Sequence, residues 1–272
     1  MIEFDFLREG VRISIDARYG IMEVYESPDI LEAKSDGSPL TVADKNAHNL
    51  ICGRLQKLSE SIPILSEESA PLDIQDRLRW KRFWLVDPLD GTKEFIKKNG
   101  EFTVNIALIE EGKPILGVDH DPTSNLTYFA ESGKGSWRHI ENRKSERIVT
   151  KPYQNGVIRM ASSRSHRGKP IERFRLSLEL EIQQPVEQVI VGSSLKFCLV
   201  AEGSADIYPR LGPTSEWDTG AAHCVLEEAG GSVRRCDGGP LVYNKEKLIN
   251  PWFIAIGDPT YNWFEMCPSE PS

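Results

Sequence analysis

The sequence predicts a mixed α+β and α/β protein, with an antiparallel sheet in its N-terminal half and an alternating α/β layer in its C-terminal half. Three observations support this. Helical spacing of apolar residues opens the chain, in two segments before residue 60. Short apolar segments separated by turn-forming residues follow closely from 82 to 130, as in a meander. Beyond residue 156, strand-like and helix-like segments alternate, as in a sheet covered by helices.

Leu7, Val11 and Ile15 recur at i, i+4 and predict an amphipathic helix over 7–22. A second helix is expected to start near Thr41, whose hydroxyl caps it with Asp44 three residues on. Its apolar face is Ala43, Ala47, Leu50, Ile51 and Leu55. Strands are expected at 82–87, 103–109, 114–118 and 126–130, joined by Glu111-Gly112-Lys113 and by Asp121-Pro122-Thr123-Ser124-Asn125. The polar stretch 138–156 marks a junction between an N-terminal unit, 1–150, and a C-terminal unit, 151–272. The second half then reads as strand 157–161, helix 171–180, strand 186–191, helix 195–201, strand 205–208, helix 218–229 and strand 252–256. There is no internal repeat and no low-complexity segment.

The 272 residues are 39% hydrophobic and 27% charged, the balance of a folded globular chain. A net charge of −8 argues against nucleic acid as a partner, since phosphate backbones require a basic face. No apolar run approaches the roughly 18–20 residues of a membrane span. The N-terminus lacks a basic region followed by an apolar one, so no secretion signal is expected. Five cysteines, Cys52, Cys198, Cys224, Cys236 and Cys267, are odd in number and form no Cys-x-x-Cys pair. That fits neither a disulfide framework nor a zinc knuckle, and points to a reduced, cytoplasmic setting. The acidic charge would also disfavour an anionic substrate, but two bound divalent cations would reverse the field in a cleft.

The chemistry lies in four segments. Phe83-Trp84-Leu85-Val86 reads as a buried strand that ends in Asp87, and Pro88 then interrupts regular ladder pairing. Asp90, Gly91 and Thr92 follow, leading into a helix-like segment. Paired carboxylates beside a glycine whose N–H can approach a phosphate suit a hard cation and an anionic ligand together. The second segment, Ile62 to Ser69, runs into Glu67-Glu68; alone it reads as a solvated helix start. The third is Ser215-Glu216-Trp217-Asp218-Thr219-Gly220-Ala221-Ala222-His223, where Asp218 alone reads as an N-terminal helix cap. The fourth, Lys34 to Thr41, carries Asp36 in what alone would be a turn.

Glu-Glu, then Asp-Pro-Leu-Asp-Gly-Thr, then Trp-Asp before an alanine-rich helix, in this order, resembles the lithium-sensitive magnesium phosphatases. That superfamily includes inositol monophosphatases, fructose-1,6-bisphosphatases and 3'(2'),5'-bisphosphate nucleotidases. The resemblance extends to Tyr243-Asn244-Lys245-Glu246 and Asn250-Pro251-Trp252-Phe253. Lys93-Glu94-Phe95, followed by Asn99-Gly100-Glu101-Phe102-Thr103-Val104-Asn105, looks most like the bacterial CysQ-type nucleotidases. Inositol monophosphatases typically carry Thr-Asn where this chain has Lys93-Glu94.

The resemblance implies a layered αβαβα sandwich and an enzyme that removes the 3'-phosphate of adenosine 3',5'-bisphosphate, or of its sulfated relative, in sulfate assimilation. It implies two or three Mg²⁺ ions on Glu67, Asp87, Asp90, Asp218 and the Leu89 carbonyl. Asp36 and Thr92 would activate the attacking water, and the N–H groups of Gly91 and Thr92 would hold the scissile phosphate. His166, Ser193, Lys196 and Arg210 would contact the nucleotide, the two cations suiting a second phosphate. The partner is thus a small phosphorylated nucleotide. Monomer and homodimer are both left open, as is peripheral association with the inner face of a membrane. His223 is expected to be structural. Gly220-Ala221-Ala222 departs from the alanine-alanine-glycine usual in CysQ-type chains, which bears on how that helix packs. The alternatives are an inositol mono- or polyphosphate phosphatase and a nucleotide-binding protein without turnover.

Overall fold

The computed structural model describes residues 2–27, 31–33, 39–70, 72–164 and 169–268. The opening helix, α1 (Ile2–Glu26), is longer than the spacing predicts. Its buried stripe is Phe6, Ile13, Ala17 and Ile21, with Leu7 and Val11 only at the margin. Gly10 sits on that stripe: a Cβ there would stand 3.3 Å from Val118 Cγ2. An apolar count overlooks a glycine used for close approach, and this rotated the expected face. A short hairpin of β1 (Leu31–Ala33) and β2 (Pro39–Thr41), not expected from sequence, leads into α2 (Val42–Leu58). The helix buries Ala43, Ala47, Ile51 and Leu55 as expected, and also Asp44.

The first sheet has seven strands in the order β3 (Ile64–Ser66), β4 (Arg82–Asp90), β5 (Thr103–Glu110), β6 (Lys113–Asp121), β7 (Leu126–Glu131), β8 (Gly135–Ile140) and β9 (Glu146–Ile148). All neighbours are antiparallel except β3 and β4. That parallel pair needs a crossover, which runs through α3 (Ile74–Leu78). Asp73 caps this helix, accepting hydrogen bonds from the N–H groups of Gln75 and Asp76. The expected junction at 138–156 holds the end of β8 and all of β9. Its polarity belongs to a sheet edge, where Arg138 pairs with Glu146 and Glu202.

The second sheet has the order β11 (Val186–Ile190), β10 (Ile158–Ser162), β12 (Ile207–Arg210), β14 (Phe253–Ile256), β13 (Ser232–Arg235). It is parallel around β10 and antiparallel around β14. The helices are α5 (Lys169–Ile182), α6 (Leu195–Ala201) and α7 (Gly220–Glu228).

The cores between these elements define five layers. Trp84 and Val86 of β4 pack with α1 and α2, while Phe83 and Leu85 face the other way, with Ala221 of α7. Burial on both faces is why β4 reads as an unbroken apolar run instead of alternating. Ala222, Val225 and Leu226 of α7 and Phe197 of α6 pack on Tyr208, Val233 and Phe253 of the second sheet. Phe174 and Leu178 of α5 cover its far face with Ile158, Ile207 and Ile254. The result is the αβαβα sandwich. The fit of α7 is close: a Cβ on Gly117 of β6 would collide with the Ala221 carbonyl oxygen. One on Gly220 would meet Leu85 Cδ2 at 2.9 Å. The glycine of the departing Gly220-Ala221-Ala222 run is thus the one pressed against β4, and Ala222 is accommodated in the core on the other side.

Candidate active site

Pro88 does not end β4, as the sequence suggested. The strand continues to Asp90 through a shift in register: Asp87 lies opposite Asn105 and Asp90 opposite Thr103. Three steps on β4 thus match two on β5, a bulge that brings Asp87 and Asp90 toward one site. Leu89 N–H donates to Asp87 Oδ1 at 3.0 Å, which fixes the turn from inside. Gly91 follows with φ +93°, where a Cβ would meet the Glu101 carbonyl oxygen at 3.0 Å; both facts require glycine. The helix it starts, α4 (Thr92–Ile96), is a single turn, so it offers individual N–H groups and little helix dipole. The Thr92 hydroxyl donates to the Leu89 carbonyl at 3.3 Å.

Asp218 arrives from the second half, and lies just ahead of α7 instead of within its first turn. Its loop is held by residues whose chemical role does not show in the sequence. Buried Glu216 accepts from the N–H groups of Asn244 and Lys245 and from Lys245 Nζ, at 2.6–2.9 Å. The Asn250 side-chain amide donates to the Ser215 carbonyl at 2.8 Å and to Thr219 Oγ1 at 3.1 Å. Tyr243, through its hydroxyl, joins Thr219 to His223 Nδ1, so His223 is a buried structural group. Tyr243, Asn244, Lys245 and Asn250 therefore frame the loop of Asp218.

Oxygens of Asp87, Asp90 and Asp218 all lie within 4.8 Å of one another. Such crowding opposes ionisation. Burial, then the charges of Glu67, Asp90, Asp218 and Asp44, hold Asp87 well above the usual carboxylate range. Burial raises Asp90 too, against the pull of Lys196 and the Ser194 N–H. Asp218 is pushed up to about 8 by burial, Asp90 and Glu67. Glu67 stands beyond the end of β3, its N–H donating to the Val86 carbonyl, and lines the same cleft. It is thus at a strand end and not the solvated helix start its sequence alone suggested. Buried oxygens converging with unresolved mutual repulsion fit a hard divalent cation, whose charge would relieve it.

Asp44, which the sequence suggests only as part of a helix cap, lies close enough to the acid cluster to act on Asp87. It is buried, and its charge contributes to the raised Asp87. The signal was available in the spacing, since Asp44, Ala47, Ile51 and Leu55 form one buried helical stripe that a capping acid would not join. Asp36 and His166 lie outside the described residues.

The cleft, about 350 Å³, continues from these acids to a cationic wall with Lys196, Tyr208 and Arg210. Lys196 is nearly fully buried; its ammonium donates to the Ser193 carbonyl and lies 5.3 Å from the Tyr208 ring centre. Burial lowers it to about 8, opposed by Asp90. Arg210 donates to the Pro213 carbonyl at 2.6 Å, and its buried Nε has no hydrogen-bond partner among the described residues. Ser193 holds a left-handed φ of +49°, and its buried Oγ likewise has no partner among the described residues. The structure thus brings Glu67, Asp90, Gly91, Thr92, Ser193, Lys196, Arg210 and Asp218 to one cleft, with Asp87 behind it.

The sequence profile of the inositol monophosphatase family matches residues 11–253. A protein of Shigella flexneri named 3'(2'),5'-bisphosphate nucleotidase CysQ is 44% identical over 256 residues, covering 91% of this chain and 98% of that one. The protein of the same name from Haemophilus influenzae is 36% identical over 94% of each chain. The solved structure of CysQ from Bacteroides thetaiotaomicron superimposes with a TM-score of 0.81 at 39% identity, over 93% of this chain and 97% of that one. An inositol monophosphatase from Thermotoga maritima, at 23% identity and a TM-score of 0.76, shares the fold over 98% and 97%.

Proposed function

The chain belongs to the inositol monophosphatase family, and we propose that within it the chain is a 3'(2'),5'-bisphosphate nucleotidase that hydrolyses adenosine 3',5'-bisphosphate to AMP and phosphate. One observation carries the choice of substrate: a buried lysine and arginine share a cleft with the acid cluster. A monoester with one phosphate needs only the acid side, whereas a bisphosphate needs both.

In this reading Glu67, Asp87, Asp90, Asp218 and the Leu89 carbonyl hold two or three Mg²⁺ ions. When bound, the ions would neutralise the phosphate and acidify a water at neutral pH. The protein's part is mainly positioning, since phosphoryl transfer asks for little covalent chemistry. The N–H groups of Gly91 and Thr92 orient the scissile phosphate. Thr92 Oγ1 aligns the attacking water. The proton is assigned to Asp36, as the resemblance implies, with Asp44, buried near Asp87, as the alternative acceptor. Lys196 and Arg210 hold the phosphate that is kept, and Ser193 and His166 contact the sugar or base. Lithium inhibition and a role in sulfate assimilation belong to the same proposal.

The test is phosphate release from purified protein with Mg²⁺ on adenosine 3',5'-bisphosphate, adenosine 3'-phosphate and inositol 1-phosphate. The bisphosphate should lead in kcat/KM by at least about tenfold, or ~1.4 kcal/mol. A tenfold preference for inositol 1-phosphate would replace this reading with the inositol phosphatase one. Binding without any turnover would leave a nucleotide-binding protein.

A further inference from the structure

A polar row crosses the first sheet behind the cleft. The register sets Asp87 opposite Asn105, Asn105 opposite Asp119, and Asp119 opposite Tyr128, while Asp90 stands opposite Thr103. Cross-strand partners share a face, so Thr103 and Asn105 are the immediate neighbours of two clustered acids. Neither lines the cleft, and both are fully buried.

What they reach is Ser194. Its hydroxyl donates to Asn105 Oδ1 at 3.0 Å and lies 2.6 Å from Thr103 Oγ1. With its own proton committed to Asn105, Ser194 Oγ accepts the proton of Thr103. The backbone N–H of Ser194 meanwhile donates to Asp90 Oδ2 at 2.7 Å. Ser194 also follows the left-handed Ser193 and begins the turn that leads to Lys196. The approach is tight, for a Cβ on Gly192 would lie 2.6 Å from the Glu101 carbonyl oxygen. One serine therefore grips a cluster acid with its backbone and two strand residues with its hydroxyl.

Stability does not explain the row. Asp119 faces Ser194 and Cys198, yet among the described residues neither of its buried oxygens has a partner in hydrogen-bond geometry, nor has Asn105 Nδ2. Apolar side chains at these sheet positions would avoid those desolvation costs.

We propose that Thr103 and Asn105 are positioning residues of the phosphatase reaction. Through the Ser194 hydroxyl they keep Asp90 and the substrate turn 192–196 in one register, so that cation and nucleotide meet at a fixed spacing. This rests on the phosphatase reading above.

The experiment compares Thr103→Val, which keeps the shape and removes the hydroxyl, with Thr103→Ser, which keeps the hydroxyl. Mg²⁺ binding is measured by calorimetry without substrate, alongside kcat and KM. Thr103→Val should weaken Mg²⁺ binding by about 10–100-fold and lower kcat, with Thr103→Ser within about twofold of wild type, the range expected for partners that orient metal ligands. Ser194→Ala should follow Thr103→Val, and decides the question if Thr103→Val does not fold by circular dichroism. A folded Thr103→Val or Ser194→Ala with wild-type Mg²⁺ affinity and kcat would overturn the proposal, as would Thr103→Ser behaving like Thr103→Val. Failure of the phosphatase reading would appear instead in the wild-type protein, inactive on every phosphomonoester offered.

Discussion

The two sides of the cleft are held by opposite kinds of backbone contact. Each clustered acid accepts one main-chain N–H: Asp87 from Leu89, Asp90 from Ser194 and Asp218 from Ser215. The cations across from them donate to carbonyls instead, Lys196 to Ser193 and Arg210 to Pro213. An acid whose orientation the main chain sets cannot swing away from its neighbours, so the repulsion among the three is built in. Lys196 and Arg210 carry more donors than those contacts use, and keep some for an arriving anion. The acid side is set for a partner of fixed geometry, and the cationic wall for one that must enter and leave.

The largest way to break this contrast is Asp218→Asn. With Mg²⁺ present it should lower kcat by about a thousandfold or more, at least the loss that follows removal of one preorganised electrostatic group. The same variant tests the built-in repulsion without metal. Asp218 titrates near 8 in the folded chain against an ordinary value of 3.8. The folded state therefore binds this proton more tightly than the unfolded one. Its stabilising effect is complete below pH ~4 and is lost as pH rises through about 8. Metal-free wild type should melt ~5–10 °C lower at pH 8.5 than at pH 5. Asp218→Asn should flatten that slope, and Mg²⁺ should restore the wild type at high pH. An equal slope in both proteins by differential scanning calorimetry would show that the acids do not strain the fold.

How much of this was legible in sequence follows the same division. The acids stood out because Asp87-Pro88-Leu89-Asp90-Gly91-Thr92 is local, and its chemistry needs residues that few strands carry together. The five layers were implied by the family resemblance, while apolar runs and turns supplied most of the elements that build them. What stayed hidden was set by contacts far apart in the chain. Glu216 reads as one acid among many until Asn244 and Lys245 converge on it, and Gly10 reads as a gap until Val118 approaches. Asp44 was concealed by plausibility, because an acid in a first helical turn already has a reason to be there. The polar run 138–156 holds two things that look alike in composition, the exposed edge of the first sheet up to Ile148 and the passage to the second sheet at Ile158.

A smaller effect sharpens the cationic wall. Lys196→Met keeps length and removes charge. A hydrogen bond to a charged group is worth ~1.5–3 kcal/mol, so KM for the bisphosphate should rise by about 10–150-fold. For adenosine 3'-phosphate, which lacks the second phosphate, KM should hardly move. Steady-state kinetics on both substrates separates the two sides of the cleft. An equal loss on both would mean that Lys196 acts through Asp90, whose ionisation it favours, and that the wall is part of the acid side.

The smallest effect concerns the joint between the two regions. Asp218 reaches the cluster only because α7 starts close to β4, and Gly220 is where they touch. A methyl there would stand 2.9 Å from Leu85 Cδ2 and 3.3 Å from Ala107 Cβ. Leu85 is buried between layers and has little room to yield. Gly220→Ala should therefore cost ~1–3 kcal/mol by overpacking, seen as a melting temperature ~3–10 °C lower. If the joint matters only for packing, kcat on the bisphosphate stays near wild type once the variant is folded. If α7 also sets the spacing of Asp218 from Asp87 and Asp90, Mg²⁺ affinity falls with it, while KM for the non-scissile phosphate does not. The close contact lies between α7 and the strand that carries the other two acids, so a tighter fit displaces Asp218 relative to them before it disturbs Lys196 or Arg210. A variant that raised KM and left Mg²⁺ affinity untouched would place the joint on the cationic side.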